Sequence, residues 1–309
     1  MKSNWEHSHT GLFTRDFDGT IKYLQSIGIA PAPLPRVPRN PGDKLVNVEF
    51  GKVTGPMPPG LPLQLMYIGN LELEVLHAPA ERPIGEALAY GEGVNHVCFN
   101  VPDIDGETDI LVKKGFRIIQ DAKVNGVRVE DYLDTREFGN MLLSFRPPQT
   151  EEAKARKAGY GIVNWKCQGV GAVVKDLDKT VKYYKSMDIA TFQPQSAFDS
   201  TSVKDLKVYG KSSKETIKAR TRLMRIASVT YELIQPVEGQ SIYKESLDRR
   251  GEGVINFTFA VDDLDRETGK LAEKGVPVIF SGKPKDGKAF AYLDTRKNGG
   301  DTMIKLVQS

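Results

Sequence analysis

Apolar and polar residues follow two periods along this chain, and the two periods succeed one another in a fixed order. A β-branched and aromatic run (Gly11 to Thr14; Val97 to Val101) is followed by an aspartate able to cap a helix, Asp16 or Asp103. Apolar residues at helical spacing then lead to a glycine, Gly28 or Gly115, where a helix can end. Beyond the glycines come runs with the period of a strand: LPLQLMYIG and LELEVL, then GVRVEDYL and NMLLSF, bounded by Gly, Pro or Asn. The predicted order is β-α-β-β-β.

The order repeats at two scales. GEGVNHVCFNVPDIDGET at Gly91 returns as GEGVINFTFAVDDLDRET at Gly251, and YLDTR at Tyr132 returns at Tyr292, both at an offset of 160. FTRDFDGTIKYLQSIGIA at Phe13 returns as VVKDLDKTVKYYKSMDIA at Val173, and Trp5 pairs with Trp165. Within the first half a weaker repeat relates His9, Asp16 and Gly28 to His96, Asp103 and Gly115 at an offset of 87. The pattern predicts an α+β protein of four tandem βαβββ modules paired into two domains. The first spans residues 1–148, with modules at about 5–80 and 91–146, and the second spans 163–309. A segment rich in proline, charge and glycine, 149–162, is the expected linker. Insertions interrupt the modules from Pro31 to Pro62, with nine prolines, and from about Thr191 to Lys218. Long loops of this kind serve as lids or as disordered excursions, and both readings stay open.

Composition narrows the function. With 39% hydrophobic and 27% charged residues the chain reads as globular, neither disordered nor membrane-embedded. Forty-three basic against forty acidic residues leave a net charge of +3, which argues for a small-molecule ligand over a nucleic acid. Cys98 and Cys167 fall in separate predicted strands, and the amino terminus shows no signal or lipidation pattern. The expectation is a reduced, cytoplasmic protein, with a homodimer left open. The basic stretch from Lys204 to Arg225 is either a solvated face or a surface for an anionic group such as a CoA phosphate.

His9 and His96 occupy equivalent positions on the first strands of the two modules, so packing about a pseudo-twofold axis brings their imidazoles together. Glu72 and Glu74 share one strand face, opposite Leu71, Leu73 and Val75. Two imidazoles and a carboxylate suit Zn, Mn, Co, Ni or Fe(II) with open positions, unless the histidines are in register through duplication alone. His7, with Glu72, is expected to share strand faces with these candidate ligands, and Gln64, Arg128 and Tyr132 fall in predicted strands.

The βαβββ modules, the opening HTGLFTRDFD, the GNLELEVLHAP run from Gly69, the GEGVNHVCFNVPDID run and the YLDT turn before GNMLLSF together resemble the vicinal oxygen chelate superfamily. That superfamily holds glyoxalase I, methylmalonyl-CoA epimerase, extradiol dioxygenases and the bleomycin and fosfomycin resistance proteins. The first half most resembles the epimerase branch. The resemblance implies half-open barrels that carry a metal on the first and last strands of each module. Carried over position by position, it assigns His9, Glu74 and His96 as metal ligands and puts Ser144 where the epimerase and glyoxalase pattern has a carboxylate. In the second half the matching positions hold Gly169, Asn256 and Lys305, with only Glu232 retained, so a structural role without metal is expected there.

Three functions follow from that resemblance. The first is a divalent-metal enzyme that removes a proton beside a carbonyl of a small oxo or carboxylate compound, as an epimerase, isomerase or lyase. Glu72, Tyr132 and His7 are its catalytic candidates, and Gln64, Arg128 and Ser144 its substrate-binding candidates. The second is an Fe(II) dioxygenase using the same His/His/Glu set. The third is a metal-free binding or resistance protein.

Overall fold

The computed structural model describes residues 4–34, 42–49, 52–53, 63–77, 92–157, 160, 164–213, 215–285 and 287–309. The first half contains β1 (Glu6–Phe13), α1 (Phe17–Ser26), β2 (Leu45–Glu49), β3 (Lys52–Val53), β4 (Leu63–Ile68), β5 (Leu71–Leu76), β6 (Gly93–Asn100), α2 (Ile104–Lys113), β7 (Ile118–Val124), β8 (Val127–Leu133) and β9 (Leu142–Arg146). A short helix α3 (Glu151–Lys157) lies in the expected linker. The second half contains β10 (Lys166–Val173), α4 (Leu177–Met187), β11 (Ala190–Phe192), β12 (Ser196–Asp199), β13 (Val203–Val208), β14 (Lys211–Ser212), β15 (Lys218–Ile226) and β16 (Val229–Glu238). It ends with α5 (Ile242–Arg250), β17 (Gly253–Val261), α6 (Leu264–Glu273), β18 (Val278–Pro284), β19 (Phe290–Leu293) and β20 (Met303–Gln308).

Each half forms one sheet, with β1 and β6, or β10 and β17, antiparallel at its centre. In the first sheet the order is β3-β2-β7-β8-β9-β6-β1-β5-β4, so β5 beside β1 and β9 beside β6 are related across the central pair. That is the half-open barrel arrangement expected of paired modules. Asp16, Asp103, Asp176 and Asp263 cap the four module helices, each carboxylate accepting the N–H three residues on.

Two local expectations change. In the first module the described residues after α1 pair through a bridge between Pro33 and Met66, while β2 crosses over to pair with β7. Proline cannot donate to a ladder, which limits a strand there. The second insertion is ordered in strands and is no disordered excursion: β12 pairs with β15 and β13 with β18, so it spans the two edges of its own sheet. Much of the proline-rich insertion, and the turn at Gly91, lie outside the described residues.

The largest apolar cluster joins the sheet face carrying Leu73 and Val75 to Leu24 of α1 and Leu111 of α2, and continues into the second half through Trp165, Tyr231 and Phe259. On the opposite face the halves diverge. The second sheet fills its interior with Tyr243, Phe280, Phe290, Tyr292 and Met303. The first has a smaller apolar group, Phe13, Leu76, Ile119, Tyr132 and Leu142, beside buried polar side chains.

Candidate metal centre

The centre is built on the β1–β6 pair. His9 faces Cys98 and Gly11 faces His96, which places each imidazole beside the position two residues along from the other. Parallel pairing of β5 with β1 sets Glu74 opposite Gly11, on the same interior face. Three side chains from three strands therefore converge. His9 Nε2 lies 3.2 Å from His96 Nε2, and Glu74 Oε2 lies 3.3 Å from the first and 3.5 Å from the second. His9 and His96 are wholly buried and Glu74 is 1% exposed.

The donor set fits a divalent ion. Glu74 Oε2 and His96 Nδ1 are buried without a hydrogen bond among the described residues, and an orphaned buried carboxylate oxygen is costly unless a cation meets it. Edges of 3.2 to 3.5 Å match the separation of neighbouring ligands about one ion held at roughly 2.1 Å. Burial alone would raise the Glu74 carboxyl. The charge of His9, the nearness of both imidazoles and the Arg146 guanidinium outweigh it and hold that carboxyl well below the usual range. Burial lowers the pKa of His96 against the pull of Glu74, which favours the neutral ligand form.

Tyr132 is the catalytic candidate that the structure brings to this face. Its ring centroid lies 4.9 Å from that of His96, its phenol donates to Glu130 Oε1 at 3.2 Å, and burial raises its pKa well above that of free tyrosine. Ser144 is also interior, opposite Cys98 and Tyr132, with a fully buried side chain. Glu72 is interior too, but its carboxylate is engaged by Lys157 Nζ at 2.6 and 2.8 Å and by the Tyr67 hydroxyl at 2.9 Å.

Three candidates face elsewhere. A bulge between His7 and His9 inserts Ser8, so His7 pairs with Phe99 and joins the opposite face. Its imidazole lies against Thr10 and Phe99, and burial lowers its pKa to about 3. A second bulge, on β8 between Arg128 and Glu130, turns Arg128 toward α2, where it pairs with Asp121 and Asp105. Gln64 pairs with Val75, off the Glu74 face, and its amide donates to the carbonyls of Leu34 and Leu65.

Sequence reasoning missed Glu130 and Arg146. Arg146 donates to Glu130 Oε1 at 2.8 Å and reaches Glu74 Oε1 at 3.5 Å, so one guanidinium bridges two carboxylates. Counting in twos from Tyr132 to Glu130 and from Ser144 to Arg146 would have found both. Cys98 stays a buried thiol whose pKa burial pushes up. In the second half the positions equivalent to Glu74 and Ser144 hold Glu232 and Lys305, ion-paired at 2.6 Å.

Residues 168–292 match the family model of the Glyoxalase/Bleomycin resistance protein/Dioxygenase superfamily. A variant of 4-hydroxymandelate synthase from Streptomyces coelicolor shares the fold over 98% of this chain and 92% of its own, with a TM-score of 0.65 at 14% identity. A xylose isomerase-like TIM barrel/4-hydroxyphenylpyruvate dioxygenase fusion protein matches 98% of this chain and 49% of its own, at a TM-score of 0.52 and 12% identity. Methylmalonyl-CoA epimerase from Mycobacterium tuberculosis matches 48% of this chain and 89% of its own, at a TM-score of 0.37 and 20% identity. No curated protein matches the chain. The matching family model belongs to the superfamily that the motifs resemble, and the solved structures share the fold. The family match falls on the second half, while the His/His/Glu triangle lies in the first.

Proposed function

We propose that the chain is a divalent-metal-dependent enzyme whose site lies in residues 1–148 and which transfers a proton beside the carbonyl of a small oxo or carboxylate compound. The observation that carries this reading is the buried triangle of His9 Nε2, His96 Nε2 and Glu74 Oε2. A divalent ion held by His9, His96 and Glu74 would supply a Lewis acid for a substrate oxygen and would stabilise negative charge developing there.

Two of the chain's own groups serve this site by orienting and binding. Tyr132 orients the His96 ring by edge contact and keeps its phenolic proton at neutral pH, as a donor on the interior face. Arg146 offers a cation between Glu74 and Glu130, suited to an anionic or strongly polarised substrate group. His7, turned to the other face, takes no part, and Glu72 is held by Lys157 and Tyr67. The test is metal analysis of protein purified without chelators, beside a His96→Ala variant. One divalent ion per chain, lost in the variant, supports the reading, and its absence from the wild type refutes it.

A second reading, an Fe(II) dioxygenase on the same three residues, is favoured by the donor set. Two histidines and one carboxylate with open positions suit non-haem iron and oxygen. Iron as the bound metal, with substrate-dependent oxygen uptake, would select it over proton transfer.

A further inference from the structure

We infer that Ser8 is a positioning residue of this metal centre: its hydroxyl accepts the Nδ1 hydrogen of His9 and holds that ring with Nε2 turned to the ion. The inference rests on the metal-binding reading above. Ser8 Oγ lies 3.2 Å from His9 Nδ1, and both side chains are buried. In an unbroken strand neighbouring side chains point to opposite faces, and the hydroxyl would turn away from the ring. The bulge between His7 and His9 leaves Ser8 without a partner on β6 and brings its hydroxyl to the edge of the imidazole.

The direction of this hydrogen bond follows from the other edge of the ring. His9 Nε2 faces Glu74 Oε2 at 3.3 Å and His96 Nε2 at 3.2 Å, so Nε2 is the nitrogen that meets the ion. A ligand nitrogen gives up its lone pair, which leaves the ring hydrogen on Nδ1. Buried there, that N–H needs an acceptor, and Ser8 Oγ supplies it. A half-turn of the ring would exchange Nδ1 for a carbon and break the bond, so the hydroxyl also selects the orientation of the ring.

The duplication separates the hydroxyl from the bulge. β6 carries the equivalent bulge at Asn95, immediately before His96, yet Asn95 Oδ1 and His96 Nδ1 are both buried without a hydrogen bond among the described residues. The His96 ring packs instead against those of Phe13 and Tyr132, at 6.3 and 4.9 Å between centroids. In the second half the same two bulges leave out Gln168 and Ile255, where His9 and His96 are replaced by Gly169 and Asn256. There the Gln168 amide donates to the Lys166 carbonyl. The bulges thus belong to the fold and form without a hydroxyl, and the serine inside one of them serves the imidazole beside it.

The test titrates Co(II) alone into the full chain and follows its visible absorption, with a melt of the metal-free protein as the check on folding. Ser8→Ala is expected to bind Co(II) about ten- to a hundredfold more weakly than wild type and to shift the band. Ser8→Thr, which restores the hydroxyl, is expected to recover both, and Asn95→Ala to leave both unchanged. Unchanged affinity in Ser8→Ala overturns the proposal, as does a loss that Ser8→Thr does not recover. An equal loss in Asn95→Ala also overturns it, since emptying either bulge would then act through the strand pair and not through the bond to His9. A wild type that binds no Co(II) would instead refute the underlying metal reading. If Ser8→Ala fails to fold, Ser8→Thr is compared with the isosteric Ser8→Val: at least about tenfold tighter binding by the threonine variant supports the proposal, and equal binding overturns it.

Discussion

Gly11 faces His96 across the central strand pair, and a methyl group built on Gly11 would lie 1.9 Å from Cε1 of that imidazole. Glycine is therefore required here for space: the ring of His96 occupies the volume that any β-carbon would need. The same relationship recurs between Gly171 and Asn256, where the added atom would meet Oδ1 at 2.2 Å.

Gly11→Ala is expected to displace the His96 ring and to destabilise the protein by about 1–3 kcal/mol, the usual cost of overpacking. It should also weaken metal binding, because the displaced ring is one of three donors. Gly171→Ala is the control, with a comparable stability loss in a thermal melt and no change in metal affinity. Equal metal affinity for Gly11→Ala and wild type would show that the ring has another place to go.

Bound metal should stabilise the folded chain. At about a hundred times its dissociation constant a ligand that binds only the native state adds about 2.7 kcal/mol. Differential scanning fluorimetry of the apo protein with added Mn(II) or Zn(II) should therefore show a rise in Tm that a chelator reverses. His96→Ala and Glu74→Gln should lose that rise. In Glu74→Gln the apo protein should be less stable than wild type at neutral pH, since a carboxylate held well below its usual range by His9, His96 and Arg146 is gone.

Most of this was legible in the sequence, and two of the exceptions, His7 and Arg128, share a cause. The repeat offsets located both first strands, and the offset of 87 paired His9 with His96, which the β1–β6 register brings to 3.2 Å. The alternation in β5 separated Glu74 from Leu73 and Val75, because that strand runs without irregularity against β1 and β4. His7 and Arg128 were misplaced because counting in twos fails wherever one residue is inserted, and a β-bulge leaves no fixed mark in the residue types. Ser8 and Val129 are ordinary residues, and only the pairing registers reveal that each reverses the face of what lies beyond it. Gln64 was misplaced for want of a register: LPLQLM does not say which of its faces pairs with Glu74, and the structure gives that place to Leu65.

Asp131 should make stability fall with rising pH. It is fully buried on the helix side of β8, accepting from the Thr108 hydroxyl and from the Phe145 N–H at 3.2 Å. Burial pushes its pKa up to about 7, against the pull of Thr108, Arg128 and Phe145. An unfolded aspartate titrates near 4, so between about pH 4 and 7 the folded state binds the extra proton. Its contribution is complete below pH 4 and is lost as the pH rises through 7. Asp131→Asn, which cannot ionise, should gain on wild type in melts from pH 5 to pH 8. A Tm difference that stays constant over that range would show that Asp131 is ionised in the fold throughout.

The second half should depend on its ion pair where the first depends on a metal. Lys305 Nζ donates to Glu232 Oε2 at 2.6 Å and lies 5.3 Å from the Tyr292 ring centroid, with the two side chains 13% and 26% exposed. Burial lowers the Lys305 pKa, but Glu232 and the hydrogen bond between them raise it overall, so the ammonium is retained. Glu232→Gln leaves that charge uncompensated among Tyr243, Phe280 and Tyr292. Breaking a fully buried pair costs about 3–5 kcal/mol, and the partial exposure here reduces the expected loss to about 2–3 kcal/mol. Replacing both partners, Glu232→Leu with Lys305→Met, should cost much less than the sum of the single changes, because neither charge is then stranded. Metal content should be the same in all four proteins. Additive losses in the double-mutant cycle would mean that the two charges stabilise this barrel through other neighbours and not through each other.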